Sequence, residues 1–381
     1  MNAYQTKLYD DLMALVQSSE AFYFVDQENE GEFYRIFLYR LASYTDFCQP
    51  SALECRGITF QIEGEGYDAL PSRLAAMPME KFFNLYENPF TMDLDLTQID
   101  MIEDKADGSL ISTYLLEMSG ELRLKTKGSL ASDQAIAAMN WLSNHPEFEG
   151  ELRHLADYEF TVNMEWVAPN NRIVLGYPEA ELRVLNIRNM TTGEYVDRNA
   201  VDPALYPEIF DRWTERFETD DPVSFVAGIP DMQGIEGFVV RLKSGQRVKV
   251  KTTWYMALHH TKDNINSPRR LFEAVLEEAT DDMKSLFHED PVAIQTIEAM
   301  ERFVEEKYNH MVDVVERFYE RNKHLERKEY AILGQEELAG TMFFGLAMNK
   351  YVGKPTNYKE FLKGKWKQLG LKDVDTSSQD V

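Results

Sequence analysis

Four short stretches hold the residues whose types and spacing could do chemistry. Lys105-Ala106-Asp107-Gly108-Ser109 puts a lysine just ahead of a tight Asp-Gly turn, where glycine lets the backbone come close to a ligand. Asn163-Met164-Glu165-Trp166-Val167 sets an acid inside an apolar, strand-like run. A glutamate on the buried side of such a strand is costly unless it is paired or metal-linked. Ile235-Glu236-Gly237-Phe238-Val239-Val240-Arg241 again places Glu before Gly at a strand start. In Val248-Lys249-Val250-Lys251 the period of two puts both lysines on one strand face. Singly, each stretch has an ordinary reading: a turn with a solvated lysine, an outward-facing glutamate, a lysine-guarded edge. Their order along one chain raises them above it.

The elements that must position these residues change character near residue 260. Before it, runs rich in Val, Ile, Tyr and Phe alternate with turn residues, as in Phe33–Tyr39, Arg56–Ile62, Leu110–Leu116, Glu121–Thr126, Phe160–Val167, Arg183–Ile187 and Gly237–Leu242. Ser244-Gly245 reads as a hairpin turn pairing Phe238–Leu242 with Arg247–Lys251. Short connections favour an α+β domain with antiparallel sheets over a βαβ fold. After residue 260 the strands give way to helices. Ser267-Pro268 is a cap and first-turn proline opening a helix through about Ala279. Ile297, Met300, Val304, Tyr308, Met311, Val315 and Phe318 recur at helical steps, and further helices are predicted near 328–349 and 356–369. The expected division is 1–260 and 261–381, with a frayed tail from Asp373 to Val381.

Over 381 residues, 40 Lys+Arg face 65 Asp+Glu, a net charge of −25, which argues against loose coating of nucleic acid or acidic membrane. Two windows break the trend. Arg241 to Lys251 holds five bases and no acid, and Lys350 to Lys372 holds seven lysines against Glu360. The second window, with Tyr351, Tyr358 and Trp366 interleaved, reads either as a contact for phosphates and exposed bases or as a solvated helix face. Cys48 and Cys55 make neither a disulfide framework nor a zinc site, and His259-His260 form no metalloprotease motif. The N-terminus lacks a signal-peptide pattern and no apolar run reaches membrane-span length, so a soluble, cytoplasmic protein is expected.

The ordered set resembles the covalent nucleotidyltransferase superfamily of ligases and capping enzymes. Lys105 to Gly108 match its K-x-D-G motif, Glu236-Gly237-Phe238-Val239 its E-G-x-V motif and Lys249-Val250-Lys251 its K-x-K motif. Glu165 takes the place of an intervening acid usually preceded by Gly, here Met164. Leu53–Ile58, Pro78–Leu85, Glu87–Met92, Ala168-Pro169, Asn171–Leu175, Lys251 with Trp254-Tyr255, Leu258-His259 and Thr261-Lys262 narrow the resemblance to the T-even-phage RNA ligase 1 family.

That resemblance implies an antiparallel-sheet nucleotidyltransferase (adenylyltransferase) domain followed by an all-helical C-terminal domain that helps select RNA. DNA ligases and capping enzymes usually carry a β-barrel after the K-x-K motif, and this chain turns helical there. The implied enzyme is an ATP-dependent RNA ligase, phage-encoded, repairing tRNA broken in the anticodon loop as a monomer in the host cytoplasm, with no membrane partner. Its cofactors would be ATP as co-substrate and Mg2+ or Mn2+. Lys105 would be the nucleophile that carries AMP, with Lys249 and Lys251 on the α-phosphate and Asp107 acting in later steps. A free lysine is almost wholly protonated at neutral pH, so neighbouring cations or burial must activate it. Arg56 and Lys81 would hold the β- and γ-phosphates, and Tyr39, Gly108 and Lys127 would contact the nucleotide. Glu165 and Glu236 are oxygen donors suited to the ribose or a hydrated magnesium, and Asp281 would be metal-associated through water. Tyr255 completes the implied site. Ligation of nicked DNA, or an inactive RNA-binding relative, are the competing readings.

Overall fold

Period-two alternation of apolar and polar residues builds three four-stranded sheets in the first part of the chain. In this computed structural model residues 1–64, 66–171, 175–259, 267–288 and 290–369 are described. Arg172-Ile173-Val174, His260, Thr261-Lys262, Lys372 and the 373–381 tail, all named above, lie outside them. Contacts divide the chain into two compact units, Met1–His259 and His260–Val381.

The first sheet runs β1 (Phe22–Asn29), β2 (Glu32–Tyr39), β3 (Thr59–Ile62), β4 (Pro71–Ala76) in spatial order, every neighbour antiparallel. One face packs on α1 (Ala3–Ser18), whose Leu8, Tyr9, Leu12 and Leu15 join Phe22, Phe37 and Phe60 in a buried cluster. That helix is absent from the strand-and-helix reading above, although its apolar spacing and the Asn2–Gln5 capping box are both in the sequence. A short helix, α2 (Tyr44–Phe47), follows.

In the third sheet, β5 (Phe83–Asn84) lies beside β12 (Arg247–Lys251), then β11 (Gly237–Leu242) and β6 (Ile99–Asp104). The β11–β12 hairpin forms as expected, and its register sets Gly237 opposite Lys251. The β5–β12 pair is parallel, the one departure from antiparallel pairing among the described strands.

The second sheet orders β10 (Glu181–Asn189), β9 (Phe160–Val167), β7 (Ser109–Leu115) and β8 (Leu122–Thr126). Helices α3 (Asp133–Leu142) and α4 (Pro146–Asp157) cover one face, where Val162, Met164 and Trp166 of β9 meet Leu142, Phe148 and Leu152. Alternation therefore sends Thr161, Asn163 and Glu165 to the other face. That face is polar but closed. Thr161 Oγ1 accepts from the Met77 amide (2.9 Å), and Asn163 accepts from Ser112 Oγ (2.6 Å) while donating to Asn186 (2.9 Å). Three short helices, α5 (Pro207–Asp211), α6 (Pro222–Gly228) and α7 (Thr253–His259), complete this unit.

The second unit contains α8 (Pro268–Leu276), α9 (Thr280–Leu286), α10 (Pro291–Asn322), α11 (Arg327–Glu337), α12 (Phe344–Tyr351) and α13 (Tyr358–Lys365), with no strand among its described residues. Ser267 caps α8 by accepting from the Arg270 amide, and the helix stops three residues before Ala279 because Glu278 takes φ +56°. The α10 stripe Ile297, Val304, Tyr308, Met311, Val315 and Phe318 is buried. The span expected as one helix over 328–349 is two, α11 and α12. Among the described residues no helix is long and apolar enough to cross a membrane.

Candidate active site

Lys105 leaves the end of β6, where its amide donates to the Gly237 carbonyl across the sheet (3.1 Å). Its Nζ stands 2.7 Å from Glu236 Oε1, and Lys251 Nζ stands 3.3 Å from the same oxygen. Two lysines far apart in sequence thus share one carboxylate. The register that does this needs Gly237. A Cβ there would lie 2.1 Å from the Val250 carbonyl oxygen, and its φ is +149°. Glu236 is 3% exposed, and its second oxygen, Oε2, is buried with no hydrogen-bond partner.

Glu165 reaches the same place from the polar face of β9, accepting from the Gly108 amide at 3.1 Å. Burial pushes its carboxyl up to about 7. The Glu236 charge adds to this, while Lys105, Arg56 and the Gly108 amide pull the other way. Asp107 faces inward, 2% exposed: its Oδ1 accepts from Tyr255 Oη (2.7 Å) and its Oδ2 from the Leu175 amide (2.7 Å). Its own amide donates to Tyr177 Oη at 2.9 Å. Tyr255 also lies under Lys251, whose Nζ is 5.3 Å from the ring centre. Tyr177 was not foreseen, and nothing in its local sequence marks it. Only the fold brings residue 177 to residue 107.

A second group of cations collects around Tyr39. Lys127 Nζ sits 4.2 Å and Lys81 Nζ 5.6 Å from its ring centre. Arg56 donates to the Met79 carbonyl (3.4 Å) and lies over Phe82, which also faces Lys249 Nζ at 5.9 Å. Arg56 stands in a turn before β3, three residues short of the strand expected to contain it, and its charge is felt at Glu165. Tyr39, Arg56, Lys81, Lys105, Asp107, Gly108, Lys127, Glu165, Glu236, Lys249, Lys251 and Tyr255 all belong to the first unit.

Asp281 belongs to the second unit, in the first turn of α9, where its Oδ1 accepts from the Asp282 amide (3.0 Å). No group of three or more His, Cys, Asp or Glu among the described residues is placed to hold a metal ion. Three lysines of the Lys350–Lys372 window are paired within their own unit. Lys350 pairs with Glu316 (2.8 Å), Lys359 with Glu278 (2.5 Å) and Lys363 with Glu277 (2.7 Å). Trp366 is buried and Tyr351 Oη donates to the Leu325 carbonyl (2.7 Å). In the other basic window, Arg241 pairs with Asp100 (2.5 Å) and Arg247 stacks on Tyr195 at 3.9 Å.

Antiparallel sheets that converge a Lys-x-Asp-Gly lysine, two inward-facing glutamates and a Lys-x-Lys strand define a nucleotidyltransferase of the ligase type. An RNA ligase family model matches residues 54–255, and the model described as T4 RNA ligase 1, C-terminal domain, matches residues 262–368. The chain belongs to the T4 RNA ligase 1 family. It is 28% identical over 284 residues to RNA ligase 1 of bacteriophage TS2126, covering 72% of this chain and 67% of that one. It is 26% identical over 253 residues to a candidate RNA ligase of Thermovibrio ammonificans, covering 64% of this chain and 63%, less than two thirds, of that one. Among solved structures, an archaeal ATP-dependent RNA ligase aligns over 80% of this chain and 79% of its own at 14% identity, TM-score 0.43. A Naegleria gruberi RNA ligase aligns over 53% and 65% at 13% identity, TM-score 0.39.

Proposed function

We propose that this chain is an ATP-dependent RNA ligase that joins RNA 5′-phosphate and 3′-hydroxyl ends through AMP carried on Lys105. Its substrate is tRNA cleaved in the anticodon loop, and it acts as a monomer in the cytoplasm of a phage-infected cell. The observation that carries the reading is the shared carboxylate: Lys105 Nζ and Lys251 Nζ lie 2.7 Å and 3.3 Å from Glu236 Oε1. A nucleophilic lysine beside a second cation is what attack on a phosphate requires.

In the first step Lys105 gives up a proton through Glu236 and attacks the α-phosphorus. A P–N bond forms, the bond to the bridging oxygen breaks, and pyrophosphate leaves. Lys249 and Lys251 offset the charge on the α-phosphate, while Arg56, Lys81 and Lys127 hold the departing phosphates against Tyr39. In the second step an oxygen of the RNA 5′-phosphate attacks the same phosphorus, the P–N bond breaks, and Lys105 recovers its proton. In the third, the RNA 3′-hydroxyl attacks the 5′-phosphorus, a proton is lost to water, and AMP leaves. Asp107, fixed by Tyr255 and the Leu175 amide, holds the Lys105 turn in place through the later steps.

A divalent cation fits this donor set. Glu236 Oε2 is a buried acceptor with its hydrogen-bonding capacity unspent, and Glu165 adds a second carboxyl. Two carboxylates suit a largely hydrated magnesium or manganese bound mainly by phosphates, rather than an all-protein cage. When bound, the ion neutralises charge building on the phosphates. Glu165 and Glu236 would meet it or the ribose hydroxyls.

Incubation with α-labelled ATP and magnesium tests the reading. The protein should acquire a label that Lys105→Ala abolishes, and should then seal a broken tRNA stem-loop in preference to a nicked DNA duplex. No label, a label that survives Lys105→Ala, or preference for the duplex would overturn it.

A further inference from the structure

Lys125 takes no part in the steps above, yet it is the most deeply buried lysine described, 0% exposed on β8. Its Nζ donates to three backbone carbonyls: Gly57 (2.9 Å), Thr126 (2.9 Å) and Lys127 (3.4 Å). An ammonium has three donors, and here each has its own acceptor. Burying a cation among neutral carbonyls is expensive, and burial pushes this lysine down to about 7. Packing alone would be served as well by methionine.

What the three bonds join is specific. Gly57 follows Arg56, and Lys127 begins the loop after β8. The two segments press backbone against backbone: a Cβ on Gly57 would lie 2.3 Å from the Lys127 carbonyl oxygen, and Gly57 itself takes φ +98°. Lys125 Nζ stands between them and donates to the Gly57 and Lys127 carbonyls alike. The segments thus clipped carry Arg56, whose charge reaches Glu165, and Lys127, whose Nζ lies over Tyr39.

We propose that Lys125 is a positioning residue, a buried clip that fixes the spacing of Arg56 and Lys127 and thereby the grip on the β- and γ-phosphates of ATP. The proposal rests on the ligase reading above. It divides the reaction in a way that general damage to the fold does not, because those phosphates are present in the first step and gone afterwards. Loss of the clip should weaken ATP use and spare the sealing of RNA that already carries a 5′-AMP.

The test measures both steps in wild type, Lys125→Met and Lys125→Gln. For the methionine variant the KM for ATP in self-labelling should rise at least tenfold, while the sealing rate on pre-adenylylated RNA stays within about threefold of wild type. Glutamine, which keeps two N–H donors, should fall between the two. Equal loss in both steps would assign Lys125 a merely structural role, and unchanged ATP dependence would remove the clip altogether; either overturns the proposal. If the methionine variant does not fold, the glutamine variant's ratio of the two effects decides. Failure of wild type to label with ATP would instead refute the ligase reading, and the proposal with it.

Discussion

Replacing Glu165 by glutamine should make the folded protein more stable at neutral pH while it loses activity. The Glu165 carboxyl titrates near 7 in the folded chain against 4.5 for its ordinary value, raised by burial and by the Glu236 charge. The folded state therefore holds a proton that the unfolded state has released, and the stability this confers is complete below pH 4.5 and lost as pH rises through 7. A difference of about 2.5 pKa units at ~1.4 kcal/mol each comes to roughly 3 kcal/mol across that window. The amide introduced by Glu165→Gln keeps an oxygen to accept from the Gly108 N–H and has nothing to titrate. The gap between variant and wild type should therefore be flat below pH 4.5, widen by roughly 3 kcal/mol, and level off above pH 7. Because burial also raises other carboxyls, among them Glu54, Glu103 and Asp104, the measurement is the difference between two urea-unfolding series at pH 4–8. Four of the five tryptophans, Trp141, Trp166, Trp213 and Trp254, lie in the first unit, so indole fluorescence follows the unit that contains Glu165. Parallel profiles would mean that Glu165 is already ionised in the folded chain, and the account of its burial would fail. Self-labelling by ATP should fall in the variant despite the added stability, since in the proposed reaction a carboxylate at this position meets the ribose or the cation.

Three further outcomes are expected. Arg188 is 1% exposed and forms a two-pronged pair with Glu54 (2.7 and 2.9 Å), so Arg188→Met should cost about 3–5 kcal/mol by stranding a buried carboxylate. Adding Glu54→Leu should recover much of that loss in the same unfolding assay. Gly237→Ala must displace the Val250 carbonyl, costing about 1–3 kcal/mol and moving Glu236 away from Lys105; self-labelling should drop more steeply than the melting temperature. Burial of Glu32 works to raise its carboxyl, but bonds from the Met118 amide, Tyr34 and the Glu117 amide together hold it below the ordinary value. Its stabilisation is therefore present above pH 4.5 and lost as pH falls below it, so Glu32→Gln should narrow the acid-side decline seen in unfolding midpoints.

The sequence by itself determined most of the elements that carry the proposed site residues. Period two in Val248–Lys251 puts Lys249 and Lys251 on one face whatever the strand packs against, and Phe160–Val167 forms the strand over its expected span. Local steric and hydrophobic rules act over a few residues, and these assignments needed nothing more. The α1 helix was legible on the same grounds, through Leu8, Leu12 and Leu15 behind an Asn2 cap. Which way Glu165 points was open between solvent and interior. Only α3 and α4, by claiming Met164 and Trp166, turned it toward Lys105. Likewise the Lys350–Lys372 window looks basic in sequence, and Glu316, Glu278 and Glu277, 34 to 86 positions away, neutralise part of it. Tyr177 on Asp107 and Lys125 under Gly57 and Lys127 have no sequence signature. Their roles are set by distances between segments about 70 residues apart, and chain connectivity leaves such distances undetermined until the sheets pack.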